Sequence, residues 1–267
     1  SMLLEVLAYC FMIGRLDMAF LNLSMLKDEL AKNVTNGSYD NAVNLSKNLD
    51  NERGSEAISD AVTKLISANT SNIMAFAYKL WHSGGKDIVR KNFPAAFKLI
   101  FDEDVVTIVN EQYHQALKLD AEADSHNNRQ AWGDSTDKTS KKVNWKVIPV
   151  WDNANAAFEL FNIDCNMYLK LDEDVNSNGD RKAWGSTNDT ETRQRYYLEP
   201  SIKDETLAFR IINCQYHQGL KMDANVNSVG DRPLWGHNGD AQSNSNKSLK
   251  WIISANTKSW VKEAIEI

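Results

Sequence analysis

Asp120, Arg129 and Trp132 recur as Asp172, Arg181 and Trp184, and again as Asp223, Arg232 and Trp235. A carboxylate accepts hydroxyl hydrogens, a guanidinium donates several at once, and an indole offers a flat apolar face. Brought together, these three side chains can hold a sugar, with the indole stacked on the pyranose. Three weak sites of that kind would gain by avidity. The same residue types also serve a fold: Trp packs the base of a barrel, Arg stacks on it, and Asp holds a turn. A residue equivalent in all three places is more economically explained by an architecture the places share. The packing reading therefore takes precedence, and the nine residues stand as sugar-binding candidates behind it.

A second set of residues suggests apolar ligands. Leu80, Trp81, Phe93 and Phe97 could line a groove between helices and take a lipid tail, although core packing is the commoner use of such side chains. Catalytic residues are not apparent. No GxSxG, P-loop or Rossmann fingerprint occurs, and no spacing such as CxxC or HExxH joins the Cys and His residues, so neither metal nor cofactor is expected. His114 and His217 hold equivalent places, which suggests a hairpin role. The three cysteines are too few for a disulfide framework; Cys165 and Cys214 are read as small half-buried hydrophobes, with a bridge between them as the alternative. The net charge of -6, with -2 over residues 1–104 and -4 over 105–257, lacks the basic excess that phosphate contacts require. Nucleic acid is not an expected partner. N-x-S/T sequons occur at Asn33, Asn44, Asn69 and Asn188 among others, as an Asn-rich chain generates by chance.

The elements that position these residues fall into two kinds. LKLDAEADSHNNRQAWG at Leu117–Gly133 returns at Leu169–Gly185 and Leu220–Gly236, steps of 52 and 51 residues. Asn110, Asn162 and Asn213 keep the same steps, and an aromatic returns at Trp145, Tyr197 and Trp251, the last step being lengthened near Asp240–Asn246. In LKLD the Leu pair points one way and Lys/Asp the other, as in a half-buried strand. Gly179 and Gly230 suit a turn with positive φ, and Asn128 takes the glycine's place in the first unit. Three units of about four short strands predict a β-trefoil over 105–260 (units 105–155, 156–206 and 207–260); a propeller would need more blades.

Before Asp104 the apolar period is helical. Leu23, Leu26, Leu30 and Val34 mark one face. Ala42, Val43, Leu45 and Leu49 mark a second helix closed near Gly54, and Ala57 to Ile66 a third capped by Ser55. Ile73 to Trp81 form a fourth, stopped by Gly84-Gly85; shorter helices follow around Ile88 and after Pro94. Short connections imply a compact bundle or small solenoid over 1–104. The apolar run Met2–Gly14 is interrupted by Glu5 and is too short to span a bilayer, so it reads as an amphipathic helix and no integral membrane segment is expected. Ser1 ahead of Met2 reads as a tag remnant, and residues 261–267 as a tail.

The stretches SYDNAVNLSKNLDNERGSEAISDAVTKLI, AFAYKLWHSGGKDIVRKNFPAAFKLIF and LKLD…AWGDSTDKTSKKVNWKVIPVWDN resemble the lepidopteran thirty-kilodalton low-molecular-mass haemolymph lipoproteins, the silkworm-type microvitellogenins. The likeness runs from about Leu26 to Trp251. It implies an α+β two-domain chain, with an N-terminal all-α VHS-like bundle followed by a β-trefoil. It also implies a secreted plasma protein taken up by oocytes as a nutrient reserve, with lipid carriage and binding of glucose or glucans. With no catalytic motif the chain is expected to be non-enzymatic, and an uptake receptor is a candidate partner. A glycan-binding defence lectin acting through the trefoil is the alternative. The chain departs from the family in its Met2–Ala19 segment, where no secretory peptide is recognisable, and in the tail VKEAIEI. It departs from ricin-type lectins where Val143, Arg195 and Leu249 replace the Gln expected two residues before Trp145, Tyr197 and Trp251.

Overall fold

The computed structural model describes residues 23–136, 140–187, 192–239 and 246–256. The expected helix at Met2–Gly14, Cys10, Asn188, the tail and most of Asp240–Asn246 lie outside them.

Among the described residues six helices come first: α1 (Leu23–Thr35), α2 (Tyr39–Leu49), α3 (Glu52–Ser67), α4 (Ile73–His82), α5 (Lys86–Asn92) and α6 (Ala95–Phe101). Their apolar faces follow the period read from sequence; in α1 the buried residues are Leu26, Leu30, Ala31 and Val34. The start of α3 differs from expectation. Its cap is Asn51, whose side chain accepts from the Gly54 amide at 2.8 Å, and not Ser55. Gly54 does not close α2 but lies in the first turn of α3, where a Cβ would stand 1.9 Å from the Leu49 carbonyl oxygen. The glycine permits the close approach of the two helices.

Twelve strands follow. They are β1 (Val106–Asn110), β2 (Ala116–Leu119), β3 (Arg129–Asp134), β4 (Trp145–Asp152), β5 (Asn155–Asn162), β6 (Met167–Leu171), β7 (Arg181–Ser186), β8 (Arg195–Lys203), β9 (Thr206–Asn213), β10 (Gly219–Met222), β11 (Arg232–His237) and β12 (Lys250–Ala255). Antiparallel pairing carries β1 to β12, β9, β8, β5, β4 and back to β1, a closed ring. The hairpins β2–β3, β6–β7 and β10–β11 stand on it, and β3, β7 and β11 pair with one another in turn. Closure leaves few unpaired edges.

The repeat is visible as side-chain chemistry. Asn110, Asn162 and Asn213 are buried; each amide donates to a carbonyl (Ser248, Lys142, Arg193) and each side-chain oxygen accepts from the backbone two and three residues on. His114, Asn166 and His217 follow at φ of 55°, 54° and 54°, the left-handed position of each turn. Trp145 and Trp251 are fully buried and donate through Nε1 to the carbonyls of Leu117 and Leu220. In the second unit that place belongs to Tyr196, whose hydroxyl donates to Leu169 O at 3.1 Å, and not to the half-buried Tyr197. The register therefore puts buried Gln194, rather than Arg195, two residues before the aromatic. The left-handed residue of the first unit is likewise Asn127 (φ 59°), not Asn128; it aligns with Gly179 and Gly230.

The expected α+β two-domain class, an N-terminal all-α VHS-like bundle followed by a C-terminal β-trefoil, is corrected by the core that helices and strands share. Buried side chains from Leu26 to Ile253 form one continuous cluster. Phe97 packs on Phe209 and Phe101 on Phe158, each with ring centres 6.2 Å apart. Helices this short cannot bury both faces among themselves, so α4, α6 and the strands β4 and β5 complete one another's cores.

Candidate functional site

In the second and third units the repeated Asp and Trp are occupied by duties to their own loops. Asp172 Oδ2 accepts from Trp184 Nε1 at 3.1 Å while its Oδ1 accepts from the Asp174 amide. Asp223 does the same with Trp235 Nε1, at 3.0 Å, and the Asn225 amide. In the first unit Asp120 is exposed and Trp132 half-buried. Arg129, Arg181 and Arg232 donate to the carbonyls of Asp120, Asp172 and Asp223 at 2.9, 3.1 and 3.3 Å, and also to those of Ala121, Glu173 and Ala224. The guanidinium does not stack on the motif's own Trp. Arg181 lies over Tyr216 at 3.7 Å and Arg232 over Tyr113 at 4.1 Å, tying each unit to the next. The equivalent of those tyrosines beside Arg129 is Cys165, whose thiol burial pushes up.

A second seam runs between the hairpins. Lys118 bonds Asp231 at 2.7 Å and Asp134 at 3.2 Å. Burial alone would lower the Lys118 ammonium, but the two carboxylates raise it on balance; Asp231 is held down by the same partner despite its own burial. In the third unit His237 replaces Asp134 and lies 3.1 Å from Lys221 Nζ and 3.6 Å from Asp180. Burial and then Lys221 lower its pKa, so the ring is neutral.

Leu80, Trp81, Phe93 and Phe97 are all buried in the common core. Phe93 packs against Phe97 and Phe76 with ring centres 5.4 and 5.7 Å away, and Trp81 against Phe101 at 5.8 Å, its other neighbours being Arg90 and Lys86. Cys165 and Cys214 are free, half-buried thiols; burial pushes Cys214 up to about 12. Neither is poised as a thiolate. Among the described residues no group of three His, Cys, Asp or Glu could hold a metal ion, and no helix is long and apolar enough to cross a membrane.

An open cleft lies elsewhere among the described residues, where the start of α2 and the face of α4 meet the β4–β5 turn. It holds about 690 Å³ and is lined by Gly37 to Asn41, Lys79, Trp151, Asn153 and Ala154. Trp151 is its centre. Tyr39 stands edge-on to the indole with ring centres 6.4 Å apart, Tyr78 is tilted beneath at 5.3 Å, and Lys79 Nζ lies 4.0 Å above the ring. Trp151 Nε1 donates to Asn153 O, whose φ of 55° forms the turn. Burial raises the Tyr39 phenol, which stays a neutral donor. The wall thus combines two aromatic rings with an ammonium, the Asp40 carboxylate and the Asn41 amide. That lining sets hydrogen-bonding groups beside flat apolar faces.

Sequence reasoning missed this cleft because it followed what repeats. Trp151 has Ile202 as its equivalent, so the indole is peculiar to the first unit. A departure from the repeat was the available signal.

The family model described as lepidopteran low molecular weight (30 kD) lipoprotein matches residues 24–255. Low molecular mass lipoprotein 3 of Bombyx mori is 39% identical over 215 residues, 80% of this chain and 84% of that protein. Microvitellogenin of Manduca sexta is 36% identical over 228 residues, 85% and 91% of the two chains. Among solved structures, the SDF2-like protein of Arabidopsis thaliana aligns with 56% of this chain and 91% of its own at 12% identity, with a TM-score of 0.47. By its sequence over nearly the whole described length, the chain belongs to the lepidopteran low molecular weight (30 kD) lipoprotein family.

Proposed function

We propose that this chain is a non-enzymatic, secreted storage protein of insect haemolymph that carries a small hydroxylated ligand, a glucose or short glucan, in the Trp151 cleft. Membership of a family whose relatives are named lipoproteins and microvitellogenin supports the storage reading. The observation that carries the ligand reading is the aromatic pair Tyr39–Trp151 opening onto Asp40, Asn41 and Lys79. An acyl chain would need a continuous open apolar wall, and Leu80, Trp81, Phe93 and Phe97 are buried in the common core instead. The defence-lectin alternative draws no support from the hairpin carboxylates of the second and third units, whose oxygens already serve the fold.

The test is native mass spectrometry of protein purified gently from insect cells, with organic extraction of co-purifying material, followed by titration with glucose and short glucans. A mass gain with sugar that disappears in Trp151→Ala supports the cleft. A co-purifying acyl lipid retained in Trp151→Ala would overturn it in favour of lipid carriage elsewhere. Storage itself is tested by the abundance of the protein in haemolymph.

A further inference from the structure

The N-x-S/T sequons were left without a role by the repeat and by the cleft. Five lie wholly among the described residues, at Asn33, Asn36, Asn44, Asn69 and Asn246, and the structure separates them. Asn33 is half-buried in α1 with its amide donating to Glu29 O at 2.9 Å, and Thr35 Oγ1 donates to Ala31 O. Asn44 is exposed, but Ser46, the hydroxyl of its sequon, is fully buried and donates to Ala42 O. Asn246 accepts from Ser248, which is buried. Asn36 is exposed while Ser38 is half-buried at the start of α2.

Only at Asn69-Thr70-Ser71 are both the acceptor and the hydroxyl residue exposed among these five. Asn69 closes α3: its amide donates to Ile66 O and that of Thr70 to Leu65 O, both at 3.0 Å, while its own φ is 55°. Asparagine tolerates this left-handed position at a helix end, and the backbone holds the side chain out of the core. The side-chain amide makes no hydrogen bond among the described residues. A bulky polar group attached there displaces nothing.

Resting on the secreted reading above, we propose that Asn69 is an N-glycosylation site. In the transfer the Asn69 Nδ2 attacks the anomeric carbon of a lipid-linked oligosaccharide pyrophosphate. The new carbon–nitrogen bond forms as the bond to the pyrophosphate oxygen breaks; the amide gives up one proton and the lipid pyrophosphate leaves. The glycan stands on the exposed turn between α3 and α4, away from the helix faces that build the core.

The experiment expresses the full chain in insect cells behind an added secretory leader and maps glycopeptides after enzymatic deglycosylation in heavy-oxygen water, which converts each occupied Asn to labelled Asp. The expected result is label at Asn69. It is lost in Asn69→Gly, which keeps the left-handed turn, and in Ser71→Ala, and kept in Ser71→Thr. Secreted protein with an unlabelled Asn69 would overturn the site. Because the leader forces entry to the secretory route, that result is independent of where the native chain resides. Failure of the secreted reading would instead appear as absence of the unmodified gene product from haemolymph.

Discussion

The hairpin cap and the Trp151 cleft use the same side chains to opposite ends. In the cap, indole, carboxylate and cation appear three times, and in the second and third units the indole and carboxylate are spent on each other: Trp184 on Asp172, Trp235 on Asp223, with the three arginines on neighbouring carbonyls. In the cleft an indole, a carboxylate and a cation appear once: Trp151 bonds its own turn and carries Lys79 over its ring, while all three residues line an open volume. Threefold repetition demands that each copy satisfy the same neighbours, which consumes hydrogen-bonding capacity. A residue that departs from the repeat is released from that demand.

This contrast can be broken from either side. Truncating a fully buried repeat aromatic should have the largest effect. Trp145→Ala or Trp251→Ala is expected to cost about 3–5 kcal/mol, from lost burial plus a cavity, in urea unfolding followed by near-ultraviolet circular dichroism. A cost under about 1 kcal/mol would mean that the ring of strands does not depend on them.

Removing a cap carboxylate comes next. Asp172→Ala frees the Trp184 indole N–H and a loop amide, and is expected to cost about 1–3 kcal/mol while leaving sugar affinity at the cleft unchanged. Loss of sugar binding in this variant, with the fold intact by circular dichroism, would move the ligand site to the cap. Trp151→Ala inverts the pattern. It loses half-exposed aromatic contacts of about 0.5–1.5 kcal/mol each, yet should abolish any sugar response in isothermal titration. If the affinity persists, the cleft reading fails.

The smallest effect concerns His237, where the third unit departs from the first. Its pKa is lowered in the fold by burial and by Lys221, with Asp180 opposing, so the unfolded chain takes up the proton first as pH falls. Stability conferred by the neutral ring is therefore complete above the ordinary value near 6.5, and declines as pH drops through the window down to the lowered value. His82, lowered by burial and Lys86, acts with the same sign. The melting temperature should fall between pH 7 and 5, and His237→Asn should flatten part of that slope; an unchanged slope would remove His237 from the seam.

Periodicity exposed the six helical faces, since burial at every third or fourth residue needs only one partner surface to be legible. It missed the start of α3 because Asn51 precedes a helix whose first turn carries Gly54, and a glycine reads as a stop until α2 is seen pressing on it. Counting columns located the three units but slipped by one at Tyr197 and at Asn128. Tyr196 and Tyr197 are alike in type, as are Asn127 and Asn128. Only burial of one ring and the positive φ of one asparagine tell them apart.

By itself the sequence determined the strand-bearing repeat, the helical faces and the family, because these rest on spacing and composition that any fold must honour. The tertiary structure alone decided three matters. Helices and strands share one core, since the short helices bury Phe97 and Phe101 against Phe209 of β9 and Phe158 of β5. The repeated arginines are committed to loop carbonyls, and Asp172 and Asp223 to an indole and a loop amide, pairings that no side-chain pattern reveals. Tyr39 and Trp151, 112 residues apart in the chain, meet at one cleft because the closed ring of strands returns β4 to the start of α2.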